Sequence, residues 1–328
     1  MQVSPRVTHL AQLGVAHAGN RLVAVGERGS ILLSDDRAKT WRQAASPVSV
    51  TLTAVAFADD KYGWAVGHSG VVLATVDGGL HWTKQLEGSR AAQIELAGAN
   101  SAGTGDGEQA ARRQSNAERL VMDGPDKPFF DVHFFDRKTG VIVGAYGLAF
   151  ITHDGGANWE SLSARIADQR GRHLYAIHAQ GARIFIAGEQ GALFRSDDEG
   201  ASFRPLNTPS NATFFGLVGG PAGELVAFGL RGNAWRSDDC GASWSRLSFA
   251  PISLTAGSRL TDGSFLLLDE SGRLMHSRDG ARTFHPLAVP RFAPSSAIVQ
   301  VTNSAVVIAG IAGVSRITLP LPHPETVQ

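Results

Sequence analysis

The sequence predicts an all-β chain: a seven-bladed β-propeller with four-stranded antiparallel blades and a partly helical insertion. Three observations carry this. An eight-residue acidic box recurs six times, a Gly-x-x-Gly turn recurs about eight residues before each box, and short strands rich in valine and threonine fill the space between. Repeats of roughly 40 residues holding four short strands match a propeller blade. A helical repeat would need helices of about 10 residues or more with 3.6-residue periodicity, and the units show none.

The boxes read "SDDRAKTW" from Ser34, "TVDGGLHW" from Thr75, "THDGGANW" from Thr152, "SDDEGASF" from Ser196, "SDDCGASW" from Ser237 and "SRDGARTF" from Ser277. Their acids are Asp36, Asp77, Asp154, Asp198, Asp239 and Asp279, and their closing aromatics are Trp41, Trp82, Trp159, Phe203, Trp244 and Phe284. The aromatics are spaced by 41, 77, 44, 41 and 40 residues, so one interval carries extra chain. The box glycine suits a turn with positive φ. Its Asp and Ser/Thr can bond amides in that turn, and its aromatic can pack between blades. Six copies of one constellation are architecture, not six active sites. Cys240 fills a position held elsewhere by Arg37, Gly78, Gly155, Glu199 and Gly280, and it needs no special chemistry.

The Gly-x-x-Gly turns are "GERG" at 26, "GHSG" at 67, "GAYG" at 144, "GEQG" at 188 and "GLRG" at 229. A variant, "DESG", stands at 269, and "GIAG" at 310 has no box after it, which brings the count to seven units. The last unit supplies three strands. The N-terminal "VSPRV", within a strand of about residues 2–8, is expected to complete it, with Pro5 tolerated on an outermost edge. Closure removes an open edge. The whole chain, 1–328, then forms a single propeller.

Residues 87–127 interrupt the connection between blades 2 and 3. Around 89–97 and 107–121 the composition favours helix, with a flexible "GANSAGTGDG" between. A segment this long serves as a surface loop or as a partner-binding arm, with Arg112, Arg113 and Arg119 as its polar contacts.

Propeller geometry puts the Gly-x-x-Gly turns and the insertion on one face and the boxes on the other. The inner residues of each turn differ from blade to blade. That makes Arg28, His68, Tyr146, Glu189, Gln190, Arg231 and Glu270, together with Arg112 and Arg113, the candidate binding face. No catalytic residue, metal ligand or cofactor is assigned. His17, His133 and His178 fall near the inner strands, but their spacing gives no ligand signature.

The box resembles the Asp-box, or bacterial neuraminidase, repeat. The wider unit, typified by "LTAVAFADDKYGWAVGHSGVVLATVDGGLHWTKQ" from Leu52 to Gln85, resembles the photosystem II stability/assembly factor family, over nearly the whole chain apart from 87–127. Ala38 replaces the box glycine in the first copy, and Phe replaces Trp in two. The resemblance implies a non-catalytic protein-binding scaffold, a monomer whose partner is a subunit of a membrane or envelope complex. It also implies export to the periplasm; the location would be cytoplasmic if Met1 is the native start. The alternative is a sialidase-like or other carbohydrate-active glycoside hydrolase propeller. That chemistry wants a Tyr nucleophile, paired carboxylates and an arginine cluster. Tyr62, Tyr146 and Tyr175 have no obvious Glu partner in the sequence.

Composition agrees with this reading. With 30 basic and 30 acidic residues, the formal charge is zero, which argues against a nucleic-acid surface built on net positive charge. One cysteine excludes an internal disulfide and a multi-thiolate metal site. No apolar run approaches the roughly 20 residues that span a bilayer, and the opening stretch lacks the layout of a signal peptide.

Overall fold

The computed structural model describes residues 10–101, 107–166, 168 and 170–320. Among these the strands form seven antiparallel sheets, six of four strands and one of three, each built outward in chain order. The three-stranded blade 7 comprises Ser295–Thr302, Ala305–Gly310 and Gly313–Thr318. The strand expected from residues 2–8 lies outside the described residues. Blades 7 and 1 meet at their inner strands, where Ser296 Oγ donates to Leu13 O at 2.9 Å and His17 Nε2 lies 2.6 Å from Gln300 O.

The second strands, such as Gly140–Gly144 and Leu225–Gly229, are buried end to end. Each meets a neighbouring blade on both faces, so the sequence runs apolar there instead of alternating. Between blades 2 and 3 the Trp64 indole lies flat on Phe134 with centroids 3.4 Å apart, and its Nε1 donates to Gly155 O at 3.0 Å. Outermost strands are only two residues long in blades 1, 3, 4, 5 and 6, and Pro205 and Pro286 sit in two of them. Short, proline-bearing edges offer little for another strand to pair with.

The boxes share one geometry. The leading hydroxyl donates to the Asp, as in Ser34 Oγ to Asp36 Oδ1 at 2.9 Å and Ser237 Oγ to Asp239 Oδ1 at 2.7 Å. The same Asp oxygen accepts the amide four residues on, and the second oxygen accepts that residue's side chain. These partners are Thr40, His81, Asn158, Ser202, Ser243 and Thr283. Hydrogen bonds from Thr40 and Ser202 hold the Asp36 and Asp198 carboxyls down to about 2.

Two consecutive left-handed residues make each corner, the box glycine (or Ala38 and Ala281) and the residue before it. Cys240 therefore occupies a left-handed position at φ 56, where Gly78, Gly155 and Gly280 sit in other copies. A side chain there costs about 1–2 kcal/mol, against somewhat less for glycine's extra chain entropy. Cys240→Gly is expected to raise stability by about 0.5–1 kcal/mol, read as a higher urea midpoint at unchanged slope. An unchanged or lower midpoint would show that the Sγ contact with Arg183 Nη1, at 3.4 Å, outweighs the strain.

In five Gly-x-x-Gly turns the third residue is left-handed: Arg28, Ser69, Tyr146, Gln190 and Arg231. Crowding requires most of these glycines; Gly147 is the exception, where the nearest atom to an added Cβ lies 3.4 Å away. A side chain on the first would strike the backbone just before the inner strand, such as Thr51 O behind Gly67 and His173 O behind Gly188. One on the last would strike the connector to the next blade, such as Val48 O behind Gly29 and Ser210 O behind Gly191. In blade 6, Asp269 replaces the first glycine, and its Oδ1 accepts from Ser271 N, Ser271 Oγ and Arg273 N across the turn.

The chain between blades 2 and 3 forms helices α1 (Gly88–Ser101) and α2 (Gly107–Asp123). The expectation of flexible chain from Gly98 is corrected, because α1 continues through Ser101. Gly98 faces the outer strand of blade 3, where a Cβ would lie 2.9 Å from Ser161 Cβ, so this glycine serves close packing and does not break the helix. A short helix, α3 (Ser163–Ile166), follows blade 3. No helix among the described residues is long and apolar enough to cross a membrane.

Candidate functional site: the channel mouth

Every inner strand carries a β-bulge at its second residue. The bulged residues are Leu13, Thr53, Phe130, Tyr175, Phe215, Thr255 and Ser296. A bulge places two residues opposite one and re-aims a side chain. All seven line the mouth of the central channel, an opening of about 240 Å³, on the face of the Gly-x-x-Gly turns.

The ring is two-sided. Thr53 Oγ1 donates to Phe129 O at 2.7 Å, as Ser296 does to Leu13, so these hydroxyls stitch blades together. On the other side stand three aromatics from consecutive blades. Tyr175 contacts Phe130 at 5.0 Å and Phe215 at 5.7 Å between centroids. His173 extends the patch, 6.0 Å from Phe130 and 4.9 Å from Tyr146. Tyr146 is 56 % exposed at the turn tip, with Lys127 Nζ 5.5 Å from its ring. This run from rim to channel was missed in the sequence.

The turn residues expected on this face separate into two kinds. Arg28, His68, Tyr146, Gln190 and Arg231 are exposed tips. Two residues of the expected binding face each spend a carboxylate oxygen on the backbone, Glu189 half-buried and Glu270 still exposed. Glu189 Oε2 accepts from His173 N at 2.9 Å, and Glu270 Oε1 accepts from Ser253 N at 3.1 Å, each satisfying an amide at the start of an inner strand. Ala145 is buried, so the inner pair does not face outward in every blade. Arg112 pairs with Glu108 on its own helix at 2.6 Å, while Arg113 faces a cleft beneath α2.

Tyr175 has Glu189 beside it, a residue of the recurring turn and not of a repeat-breaking position; burial and the Glu189 charge push its phenol up. Asp131 is the one carboxylate among the described residues lining the mouth. It bridges blades 3 and 4, accepting from Val132 N at 2.8 Å and Ile177 N at 2.7 Å. Burial pushes its carboxyl up to about 7. No group of three or more His, Cys, Asp or Glu able to hold a metal occurs among the described residues.

A carboxyl raised in the folded state contributes its full stability below the unfolded value near 3.8 and loses it as pH rises through about 7. Asp131→Asn is expected to lose one amide acceptor at all pH values. The difference in melting temperature from wild type should then move in the variant's favour between pH 5 and 8. A difference independent of pH would show that channel water keeps Asp131 ionised throughout.

A rigid wheel whose repeated corners are all structural, and whose unlike residues gather at one mouth, defines a display propeller of the Asp-box class. The chain belongs to the family described as photosynthesis system II assembly factor YCF48, whose model matches residues 33–103 and 111–286. The photosystem II assembly protein Ycf48 of Synechococcus sp. (strain JA-3-3Ab) is 23 % identical over 298 residues, 80 % of this chain and 84 % of that one. The photosystem II assembly lipoprotein Ycf48 of Synechococcus sp. (strain CC9902) is 28 % identical over 151 residues, 43 % of this chain, which spans 44 % of that relative's length. A solved structure of YCF48 bound to D1 peptide aligns with TM-score 0.69 and 16 % identity, over 95 % of this chain and 94 % of that one.

Proposed function

We propose that this protein is a non-catalytic assembly factor that seats a segment of a partner protein across the channel mouth. The observation that carries the reading is the one-sided ring. Phe130, Tyr175 and Phe215 are aimed into the mouth by bulges. Large, half-buried aromatic faces of this kind anchor interfaces. The partner would place an apolar or aromatic side chain against them, while Arg28, His68, Tyr146, Gln190 and Arg231 make rim contacts. A similar propeller solved with a D1 peptide supports a protein partner, which we place in a membrane complex. A relative named as a lipoprotein supports an exported location.

The test is capture of partners from membranes of the source cell by the full chain, comparing wild type with Phe130→Ala/Tyr175→Ala. Removing two anchors is expected to cut capture by about 30-fold or more, the scale of one interface hot spot. A control, Leu80→Ala on the box face, should leave it unchanged. Equal capture by all three would remove the mouth from the interface.

A further inference from the structure

Helix α2 covers the rim of blade 3 unevenly. Ala117 and Leu120 in its C-terminal half are buried, with α2 packing chiefly on α1 and Leu120 joining a cluster that includes Leu148. Its N-terminal half stands off and leaves a cleft walled on the far side by Tyr146, Leu148 and Ile166. Only about 60 Å³ of the concavity lies a water radius clear of every wall. An occupant must therefore be slender.

All but one of the charged groups lining the cleft have partners. Arg112 pairs with Glu108 at 2.6 Å, Asp168 holds Arg172 at 2.9 Å, and Glu95 accepts the Ser161 hydroxyl at 2.6 Å. Burial pushes the Glu95 carboxyl up, and its recorded partner is the Ser161 hydroxyl, not an arginine. Arg113 has no hydrogen bond or ion pair among the described residues, and its Nε is closed off from solvent. A shielded donor on a full positive charge is costly unless something accepts from it. The walls beside it are apolar, with Leu120, Leu148 and Ile166 all buried.

We infer that this cleft binds a carboxylate carried on a slender apolar body, with the carboxylate on Arg113 and the body along Leu120, Leu148 and Ile166. Arginine suits a carboxylate because its donors match the two oxygens. The same chemistry is offered by a free fatty acid or by a glutamate between leucines in a partner segment. The inference stands apart from the channel mouth, which contributes no residue from the bulge ring to this cleft.

Binding of two probes to the full chain, sodium octanoate and the capped peptide acetyl-Leu-Glu-Leu-amide, tests it by calorimetry and by NMR of the arginine Nε–H signals. At least one is expected to bind at millimolar concentration or below and to shift one such signal, and which one binds identifies the source. Octanol and octylamine should bind at least 10-fold more weakly than octanoate, or not at all. Arg113→Gln should weaken the binding probe at least 10-fold, and Arg113→Lys should weaken it less, both with a ligand-free melting temperature no lower than that of wild type. Failure of both probes, equal binding of octanol, or full binding by a folded Arg113→Gln would overturn the inference. The comparison of octanoate, octanol and octylamine on wild-type protein decides the matter even where a variant fails to fold. Phe130→Ala/Tyr175→Ala should retain this binding, so failure of the mouth and failure of the cleft read out separately.

Discussion

Gly191→Ala is expected to lower stability by about 2–5 kcal/mol, the sum of forced overpacking and left-handed strain, and to drop the melting temperature by on the order of 10 °C. Gly191 has φ +73, and an added Cβ would sit within the envelope of the Ser210 carbonyl oxygen. That atom is backbone in the connector to blade 5, so it cannot swing aside. The connector is also tied to the turn by Gly191 N to Ala212 O and by Thr208 Oγ1 to Gly191 O, each at 3.0 Å. Gly181→Ala supplies the comparison. Gly181 has φ +56 but nothing within 4 Å of the new Cβ, so only the strain of about 1–2 kcal/mol applies. Equal losses at the two positions, measured by urea unfolding, would show that conformation and not crowding fixes the turn glycines.

Trp64→Ala is expected to cost about 3–5 kcal/mol, the range for emptying a large aromatic from a packed core. The indole is buried, stacked on Phe134, and bonded across the seam to Gly155 O. Trp64→Phe separates the two contributions. It keeps most of the stack and loses the N–H donor. Gly155 O still accepts from Gln85 Nε2 at 3.0 Å, so no buried carbonyl is stranded. A loss of about 1 kcal/mol is expected for the phenylalanine variant. A loss as large as alanine's would show that the seam rests on the hydrogen bond.

The periodic features were legible because they repeat. Boxes, turn glycines and strand count follow from short-range chemistry that each unit states again. The inner ring was harder to see, since a bulge breaks the alternation by which facing residues are assigned. A signal was nevertheless present: Leu13, Thr53, Phe130, Tyr175, Phe215, Thr255 and Ser296 each stand 13 or 14 residues before the residue opening the next turn. Aligning the units on those turns would have placed the three aromatics side by side. The amide contacts of Glu189 and Glu270 could not be read the same way, because they depend on amides brought near by tertiary packing. The length of α1 was hidden for a related reason, since Gly98 looks like a breaker until the neighbouring strand is in place.

The carbonyl of the residue before the box glycine has a consequence for engineering. In blades 2, 3, 5 and 6 it accepts from the preceding blade, but by more than one device: Arg21 to Gly78, Trp64 to Gly155 and, from the position just before the box, Arg195 to Cys240 and Arg236 to Gly280. The joints entering blades 5 and 6 are alike, while those entering blades 2 and 3 differ from them and from each other. Exchanging blade 2 or 3 for another module would keep every corner intact and still mismatch its joints.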